Sequence, residues 1–285
     1  MTPAERADLE RRVEALFALP QGTATPADAH AVIDALLRAL EGRDVRAAER
    51  SVDGTWHAVP WVKRGILAAF RFGTLRDLSP PGEAFSFVDK DTVPPQRFTL
   101  DRAVRVVPGG STVRRGAWVG PGVVCMPPMF INVGAAVGAG TMIDSHALVG
   151  SCAQVGERCH ISAAAQIGGV LEPVNATPVI IEDEVIVGGN CGVYEGTIVR
   201  TGAVLGAGVI LTRGTPVFDL VRETIWRSSV TAPLEIPAGA VVVPGARAIR
   251  GTWAEAESLS LQTPVIVKYR DAKTDVATAL EEWLR

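Results

Sequence analysis

The sequence feature that most constrains the fold is a six-residue repeat that runs from Ser111 to Gly214. When the chain is cut into hexads from Ser111, the third position is aliphatic in every hexad but one, which carries Cys125. A period of six fits neither the 3.6 residues of a helical turn nor a plain alternating strand, and it is typical of a parallel β-helix. The third-position residues are Val113, Val119, Cys125, Ile131, Val137, Ile143, Val149, Val155, Ile161, Ile167, Ile181, Val187, Val193, Val199, Leu205 and Leu211.

The fourth position of the hexads is often glycine, which indicates a corner in the coil. At such a corner either a side chain would crowd the backbone or φ must be unusual. Three hexads close one triangular coil, so residues eighteen apart are predicted to stack. Val119, Val137 and Val155 are one such predicted stack. The fourth-position glycines are Gly120, Gly138, Gly150, Gly156, Gly168, Gly188 and Gly206.

An insertion of eight residues, LEPVNATP at 171–178, interrupts the repeat without destroying its register. Ile181 follows Val155 by eighteen plus these eight residues, so the next coil still stacks on the one before. We therefore predict that the insertion bulges from one corner as a loop, and such insertions often build the binding face of a solenoid.

The flanking sequences differ from the repeat. Apolar residues at helical spacing before Gly42, with Thr25 and Pro26 as a helix start, and the segment Trp61–Phe70 predict a helical N-terminal part. The hexad spacing returns once at Ile236 and Val242. We predict a mainly β protein built as a left-handed parallel β-helix with an N-terminal α-helical cap domain. The predicted boundaries are 1–105 for the helical domain, 106–250 for the β-helix with an excursion at 215–233, and 251–285 for a C-terminal extension with a terminal helix at 274–284.

Composition excludes several classes of function. The 285 residues are 47% hydrophobic and 21% charged with a net charge of −3, and there is no basic run that could neutralise nucleic-acid phosphates. No apolar run is long enough to span a membrane and no signal peptide is evident, so we expect a cytoplasmic protein. The four cysteines lack CxxC spacing, which argues against a zinc site or a disulfide framework.

Several segments together resemble the tetrahydrodipicolinate N-succinyltransferase family. They are MIDSHALVGSCAQVG, QIGGVLEPVNATPVIIED, WVKRGILAAFR, VRVVPGG and VIVKYRDAKT, and they span nearly the whole chain. The resemblance implies transfer of succinyl from succinyl-CoA to the amine of ring-opened tetrahydrodipicolinate, 2-amino-6-oxopimelate, in the succinylase branch of diaminopimelate and lysine synthesis. It also implies direct attack in a ternary complex, a homotrimer with sites between subunits, and no tightly bound cofactor or metal.

Asp144 is the predicted catalytic base and a predicted substrate-binding residue. It occupies the fourth position of its hexad, where seven other hexads have glycine, and it matches the substrate-site aspartate of the family. Arg105 matches the substrate-contacting arginine of the family, and Arg213 and Arg222 are further candidates to bind the substrate carboxylates, because a guanidinium grips a carboxylate with two hydrogen bonds.

The hexad CGVYEG departs from the family pattern. Gly192 stands at a position where some members carry a glutamate implicated in activity, whereas Glu195 matches a second glutamate of the pattern. Glu195 is therefore the second predicted catalytic carboxylate. For CoA, the small residues Gly206, Ala207 and Gly208 would permit close backbone approach, and Lys268 could contact a phosphate.

Two alternatives remain at this stage. One is an N-acetyltransferase on a similar amine with His146 as base, since other hexapeptide acyltransferases use a histidine and His146 lies two residues from Asp144. The other is a non-catalytic solenoid scaffold. The coil histidines are too few for the three-histidine zinc site of the γ-class carbonic anhydrases, so no metal is expected.

Overall fold

The computed structural model describes residues 1–79, 82 and 86–270 of the chain, and the C-terminal helix predicted at 274–284 lies outside this part. Three parallel sheets form the sides of a triangular prism, and the predicted left-handed parallel β-helix with a helical N-terminal domain is confirmed. We name the sheets faces A, B and C in the order in which the chain visits them, and we name the three edges by the faces that they join.

Each face is built from two-residue strands, one per coil. Face A contains Arg105–Val106, Val124–Cys125, Met142–Ile143, His160–Ile161, Ile186–Val187, Val204–Leu205 and the longer Ala240–Ala248. Face B contains Thr112–Val113, Phe130–Ile131, Leu148–Val149, Gln166–Ile167, Gly192–Val193 and Ile210–Leu211. Face C contains Trp118–Val119, Ala136–Val137, Gln154–Val155, Ile180–Ile181, Ile198–Val199 and Glu235–Ile236.

The third-position residues fill the interior of the prism, as predicted. All of them are buried in one continuous hydrophobic core. Val137 pairs with Val119 on one side and with Val155 on the other, and Val155 pairs with Ile181 across the insertion. The register of the coil therefore survives the insertion, because the apolar stack on each side of the loop holds the strands in place.

Crowding, rather than an unusual φ, explains the fourth-position glycines. A Cβ on Gly138 would lie 2.4 Å from the carbonyl carbon and oxygen of Gly156 in the next coil. The left-handed backbone occurs at the sixth position instead, where Gly140 has φ of 69° and His146 has φ of 61°. In these turns the crowded position is the fourth of the hexad, and the left-handed position follows two residues later, at the sixth.

The helical domain consists of three helices, α1 (Pro3–Phe17), α2 (Ala29–Glu41) and α3 (Pro60–Phe72). The Thr2 side chain and Glu5 form a capping box at the start of α1. The prediction that Thr25 and Pro26 begin the second helix is wrong, because these residues precede a turn and α2 begins after Asp28. Two short hairpins complete the domain: Ala48–Arg50 with Trp56–Ala58, and Leu75–Asp77 with Val88–Lys90.

The helical domain packs along the side of the prism. Its core includes Val133 and Cys152, which belong to the BC edge, and Ala48 packs against Ile180 and Ile198 of face C. The contacts of the helical domain with Val133 and Cys152 and with Ile180 and Ile198 therefore involve the BC edge and face C, and not the strands of faces A and B. The four cysteines are free and buried, and burial raises the pKa of the Cys152 thiol to about 12.

The chain leaves the coil at an excursion and returns to it at Glu235–Ile236 of face C before it enters face A at Ala240–Ala248. The excursion is a hairpin of Val217–Asp219 and Thr224–Trp226, and a short helix, α4 (Thr252–Ala256), precedes the last strand, Ser260–Tyr269. That strand pairs antiparallel with Ala240–Ala248, so face A continues beyond the coil. No helix in the described part of the chain is long and apolar enough to cross a membrane.

Candidate active site

The predicted site residues fall on two edges of the prism. Asp144 follows the face A strand Met142–Ile143 and precedes Leu148–Val149 of face B, so it lies on the AB edge. The run Gly206 to Gly208 follows Val204–Leu205 and lies on the same edge. Three coils separate Asp144 from Gly206, which corresponds to about 14 Å at the spacing of neighbouring strands. The predicted base and the predicted CoA run therefore share one groove.

Asp144 is held by its own turn. Its Oδ1 accepts a hydrogen bond of 2.7 Å from the backbone N–H of Ser145, and its backbone N–H donates to the carbonyl of Ile161 in the next coil. The side chain is about a third exposed, and no lysine or arginine among the described residues lies within ion-pair distance of it. The carboxylate is thus fixed in direction and open to a ligand.

A histidine that the sequence did not single out lies beside this carboxylate. His160 Nε2 is 3.9 Å from Asp144 Oδ2, and this ring nitrogen is buried without a hydrogen-bond partner in the described part of the chain. His160 pairs with Met142 in face A, one coil above, which brings its ring to the side of Asp144. The eighteen-residue stacking rule applied to Met142 would have found it. His146 lies on the same edge but is exposed.

The outward row of face A carries a cation near each end. The row is formed by the second residue of each hexad, and Arg105 begins it while Lys268 joins it opposite Val241. His160 lies between them in the same row. Arg105 is exposed and lies two strand spacings from Met142, a distance of about 10 Å, with the strand Val124–Cys125 between them. Two of the four predicted anion-binding residues, Arg105 and Lys268, therefore lie on either side of the Asp144 and His160 pair along face A.

The insertion lies on another edge. It follows Gln166–Ile167 of face B and precedes Ile180–Ile181 of face C, so it belongs to the BC edge. The fully buried Lys63 of α3 donates a hydrogen bond of 2.6 Å from its Nζ to the carbonyl of Ala176. The loop is thus anchored to the helical domain. Within one chain, the loop and Asp144 do not share an edge.

Glu195 and Arg213 also lie on the BC edge, where the Glu195 carboxylate contacts the backbone of Arg213 and the Arg213 side chain contacts the excursion. Glu195 Oε2 accepts a hydrogen bond of 2.7 Å from the backbone N–H of Arg213. The Arg213 guanidinium donates to the carbonyls of Ser229 and Val230, at 3.0 and 3.2 Å, and so holds the excursion against the coil. Glu195 is exposed and has a left-handed φ of 54°. In this arrangement both side chains already make structural contacts.

The ring of Tyr194 occupies the space into which a side chain at position 192 would point. A Cβ on Gly192 would lie 2.4 Å from the ring and 2.9 Å from the phenol oxygen of Tyr194. The same ring lies against Gly168 in the coil below. Glycine at 192 therefore leaves the space that the Tyr194 ring occupies.

Arg222 packs against a buried polar cluster in the excursion. Its guanidinium lies 4.2 Å from the centre of the Tyr269 ring. Tyr269 Oη and Trp226 Nε1 donate to Asp219 Oδ2, at 2.5 and 3.1 Å. Burial acts to raise the pKa of Asp219, but these hydrogen bonds and those from the backbone outweigh it and lower that pKa. Arg222 thus belongs to the excursion and not to the AB edge.

No group of three or more metal-ligating side chains occurs in residues 1–79, 82 and 86–270. The AB edge carries the carboxylate of Asp144, and the imidazole of His160 lies beside it. An aspartate of fixed direction can accept a proton from an amine, and a neighbouring histidine can orient it or carry the proton onward. The glycine run provides backbone that a long, narrow ligand could approach closely.

Comparison with known proteins agrees with this architecture. The profile described as tetrahydrodipicolinate N-succinyltransferase N-terminal matches residues 8–72, and the profile described as hexapeptide repeat of succinyl-transferase matches residues 178–213. The two matches fall on the helical domain and on the later coils of the prism.

Curated relatives match over almost the whole length. The relatives compared below carry the name 2,3,4,5-tetrahydropyridine-2,6-dicarboxylate N-succinyltransferase. The protein of Nitrobacter hamburgensis is 42% identical, with 92% of each chain covered. That of Nitrobacter winogradskyi is 41% identical, with 98% of this chain and 99% of the relative covered. That of Polynucleobacter asymbioticus is 40% identical, with 91% of each chain covered.

Proposed function

The chain belongs to the tetrahydrodipicolinate N-succinyltransferase family, and from this premise we propose that it transfers succinyl from succinyl-CoA to the amine of 2-amino-6-oxopimelate. The product would be the N-succinyl compound of the succinylase branch of diaminopimelate and lysine synthesis, and the enzyme would act in the cytoplasm. The relatives named above are N-succinyltransferases, which supports an enzyme rather than the scaffold alternative.

The observation that carries the mechanism is the Asp144 carboxylate at the fourth position of its hexad, a position that is glycine in seven other hexads. In our proposal Asp144 takes the proton of the substrate amine as the nitrogen attacks the thioester carbonyl. A C–N bond forms, the tetrahedral intermediate collapses, the C–S bond breaks, and the proton passes to the departing CoA sulfur. General-base catalysis of this kind contributes about 10²- to 10⁴-fold to a rate.

His160 acts in this proposal as a positioning residue for Asp144. Its Nε2 has no other partner in the described part of the chain and lies 3.9 Å from Oδ2. A small movement on substrate binding would close this gap to a hydrogen bond, since catalytic hydrogen bonds are often long before the substrate binds. The pair would then hold the carboxylate toward the amine.

We further propose that the active site is completed by a second subunit. Asp144 lies on the AB edge, whereas the insertion lies on the BC edge of the same chain, and face B separates them. A threefold ring in which the AB edge of one subunit meets the BC edge of the next would bring them together, and a head-to-tail contact of this kind closes under cyclic symmetry. The neighbouring subunit would then bury Leu148 and Ile210 of face B, which are half-buried within one chain.

The test is CoA release on mixing the purified protein with 2-amino-6-oxopimelate and either succinyl-CoA or acetyl-CoA. We expect release with succinyl-CoA, and a fall of about 10²-fold or more in Asp144→Asn, which keeps the size of the side chain but removes its basicity. Glu184→Gln is the matched control, because Glu184 is an exposed carboxylate of the CA edge that pairs with Arg158.

Each outcome decides between the alternatives. Preference for acetyl-CoA would replace the proposal with the N-acetyltransferase alternative, in which a histidine serves as base. Release that is equal in Asp144→Asn and Glu184→Gln would remove Asp144 from the mechanism. No release with either donor would overturn the proposed reaction.

A further inference from the structure

A cavity of about 240 Å³ lies between the helical domain and the prism, away from the AB and BC edges. The helical domain contributes Arg43, Arg46 and Arg50 to its wall, and the prism contributes residues of face C and of the CA edge. We call it the CA cavity. Its wall also includes Trp56, Trp118, Gln154, Glu157, Glu182 and Asp183.

Two of the arginines are held in place by neighbouring groups. The Arg43 guanidinium lies 4.3 Å from the centre of the Trp118 ring, and that of Arg46 lies 5.6 Å from the Trp56 ring. Arg46 Nε also donates a hydrogen bond of 2.9 Å to Oε1 of Gln154, which is itself buried. The amide of Gln154 is fixed in turn, since its Nε2 donates to the carbonyl of Cys152 at 2.8 Å.

The acidic residues of the wall have other partners. Glu182 accepts hydrogen bonds from Trp56 and Arg200, at 3.0 and 2.9 Å. Asp183 accepts from the backbone N–H of Glu157, and the Glu157 side chain pairs with Arg158. Arg50 lies 3.5 Å from Glu182.

Arg43 and Arg46 therefore lack a carboxylate partner. Neither has one within ion-pair distance among the described residues. Burial, and after it the charge of Arg43, lowers the pKa of Arg46 to about 10. Arg43 is exposed and Arg46 is half-buried, and the charges of Glu49 and Asp183 offset only part of the effect of burial and of Arg43 on the Arg46 pKa, so an anion between the two guanidinium groups would stabilise both. The geometry thus leaves a place for an anion.

We propose that the CA cavity binds a small oxyanion, a phosphate, sulfate or short carboxylate, between the guanidinium groups of Arg43 and Arg46. A planar guanidinium donates two parallel hydrogen bonds to such an oxygen pair. The volume accommodates a ligand of a few heavy atoms, whereas drug-sized ligands fill about 300 Å³ or more. The bound anion would join the helical domain to face C, on the edge of the prism remote from the reaction.

The experiment titrates the full-length protein with inorganic phosphate, sulfate and succinate by calorimetry, in buffer held at constant ionic strength with chloride. Arg43→Gln and Arg46→Gln each remove one guanidinium, and Arg12→Gln is the control because Arg12 is an exposed arginine of α1 outside the cavity. We expect saturable binding of at least one of the three anions, weakened tenfold or more in both cavity variants and unchanged in Arg12→Gln.

Saturable binding that is equal in all variants, or no saturable binding by any of the three anions, would overturn the proposal. If Arg46→Gln fails to fold, Arg46→Lys replaces it in the test. This variant keeps the positive charge but loses the bidentate geometry of the guanidinium, so it too should weaken anion binding. The three anions distinguish the sources: preference for phosphate or sulfate indicates a tetrahedral oxyanion, and preference for succinate indicates a carboxylate.

Discussion

The imidazole of His160 lies beside the carboxylate of Asp144, with Nε2 3.9 Å from Oδ2 and with no other partner for that nitrogen in the described part of the chain. The two residues belong to successive coils, since His160 pairs with Met142 and Asp144 follows Met142 by two positions. A face residue of one coil thus meets an edge residue of the coil below. This relationship is the most specific chemical feature of the AB edge.

The first prediction concerns His160→Asn. If His160 positions Asp144, we expect kcat to fall about tenfold, as for loss of an orienting hydrogen bond near the reacting group, while KM for succinyl-CoA stays nearly constant. His160→Gln should retain more activity than His160→Asn, because its amide nitrogen reaches the place of Nε2. Steady-state kinetics of both variants provide the measurement.

The control is His57→Asn, since His57 is an exposed histidine of the first hairpin. A purely structural role for His160 would lower the thermal midpoint and leave no difference between the Gln and Asn variants at a temperature where both are folded. That result would remove His160 from the mechanism.

The fold could be predicted from the sequence because the coil has translational symmetry. Every third-position residue occupies the same buried environment, so the requirement for an apolar residue recurs in every hexad. For the same reason Val155 and Ile181 stack despite the insertion between them. The left-handed sixth position was not predicted. It tolerates residues as different as His146, Glu184 and Asn190, so no single residue type marks it.

The site was predictable only in part. Asp144 is visible because a carboxylate stands at a hexad position that is glycine in seven of the sixteen hexads. His160 is not, because outward positions of the faces carry varied residues and only the stacking of coils shows which of them lies beside Asp144. Likewise, the relation of Gly192 to Tyr194 depends on a ring that folds back over its own strand, which hexad alignment does not reveal.

A second prediction separates the two kinds of glycine in one turn. Gly138→Ala would place a Cβ 2.4 Å from the backbone of Gly156, so the coils must move apart, and we expect a loss of about 3 kcal/mol or more, or failure to fold. Gly140→Ala meets nothing closer than 3.6 Å and has only the left-handed φ of 69° to accommodate, which costs about 1 to 2 kcal/mol.

Denaturant unfolding of the two alanine variants at equal protein concentration measures both losses. Equal losses would show that the contact between coils at Gly138 costs no more than the left-handed φ at Gly140, and would contradict crowding as the dominant constraint.

The third prediction concerns the anchor of the insertion. Lys63→Met removes the hydrogen bond from Nζ to the carbonyl of Ala176 but keeps an unbranched apolar side chain in the buried space. We expect faster amide hydrogen exchange in residues 171–178, because local opening becomes easier when an anchoring contact is lost. Lys90→Met is the matched control, since Lys90 Nζ also donates to a backbone carbonyl, that of Gly73, away from the loop.

If the insertion also closes over the acyl group, kcat/KM should fall in Lys63→Met and not in Lys90→Met. Unchanged exchange in 171–178 would mean that the loop is held by its other contacts and that Lys63 serves the helical domain alone.

The last prediction follows from Glu182, a buried carboxylate where the helical domain meets the CA edge. Burial acts to raise its pKa, but hydrogen bonds from Trp56, Thr201 and Arg200 outweigh burial and hold the pKa below its ordinary value of 4.5. The ionised form therefore favours the folded state. This stabilisation is fully present above pH 4.5 and is lost as the pH falls through the lower pKa of the folded protein.

Glu182→Gln should accordingly lower stability at pH 7 by about 2 to 3 kcal/mol, because it leaves the donors of Arg200 and Thr201 poorly matched in a buried place. The difference from wild type should shrink as the pH is lowered below 4.5, where wild type loses the same contribution. Glu184→Gln, which removes an exposed ion pair with Arg158, should change stability by less than about 1 kcal/mol at either pH. Denaturant unfolding at pH 7 and pH 4 measures both variants. A Glu182→Gln difference that stays constant between the two pH values would show that packing, and not the charge of Glu182, joins the helical domain to the prism.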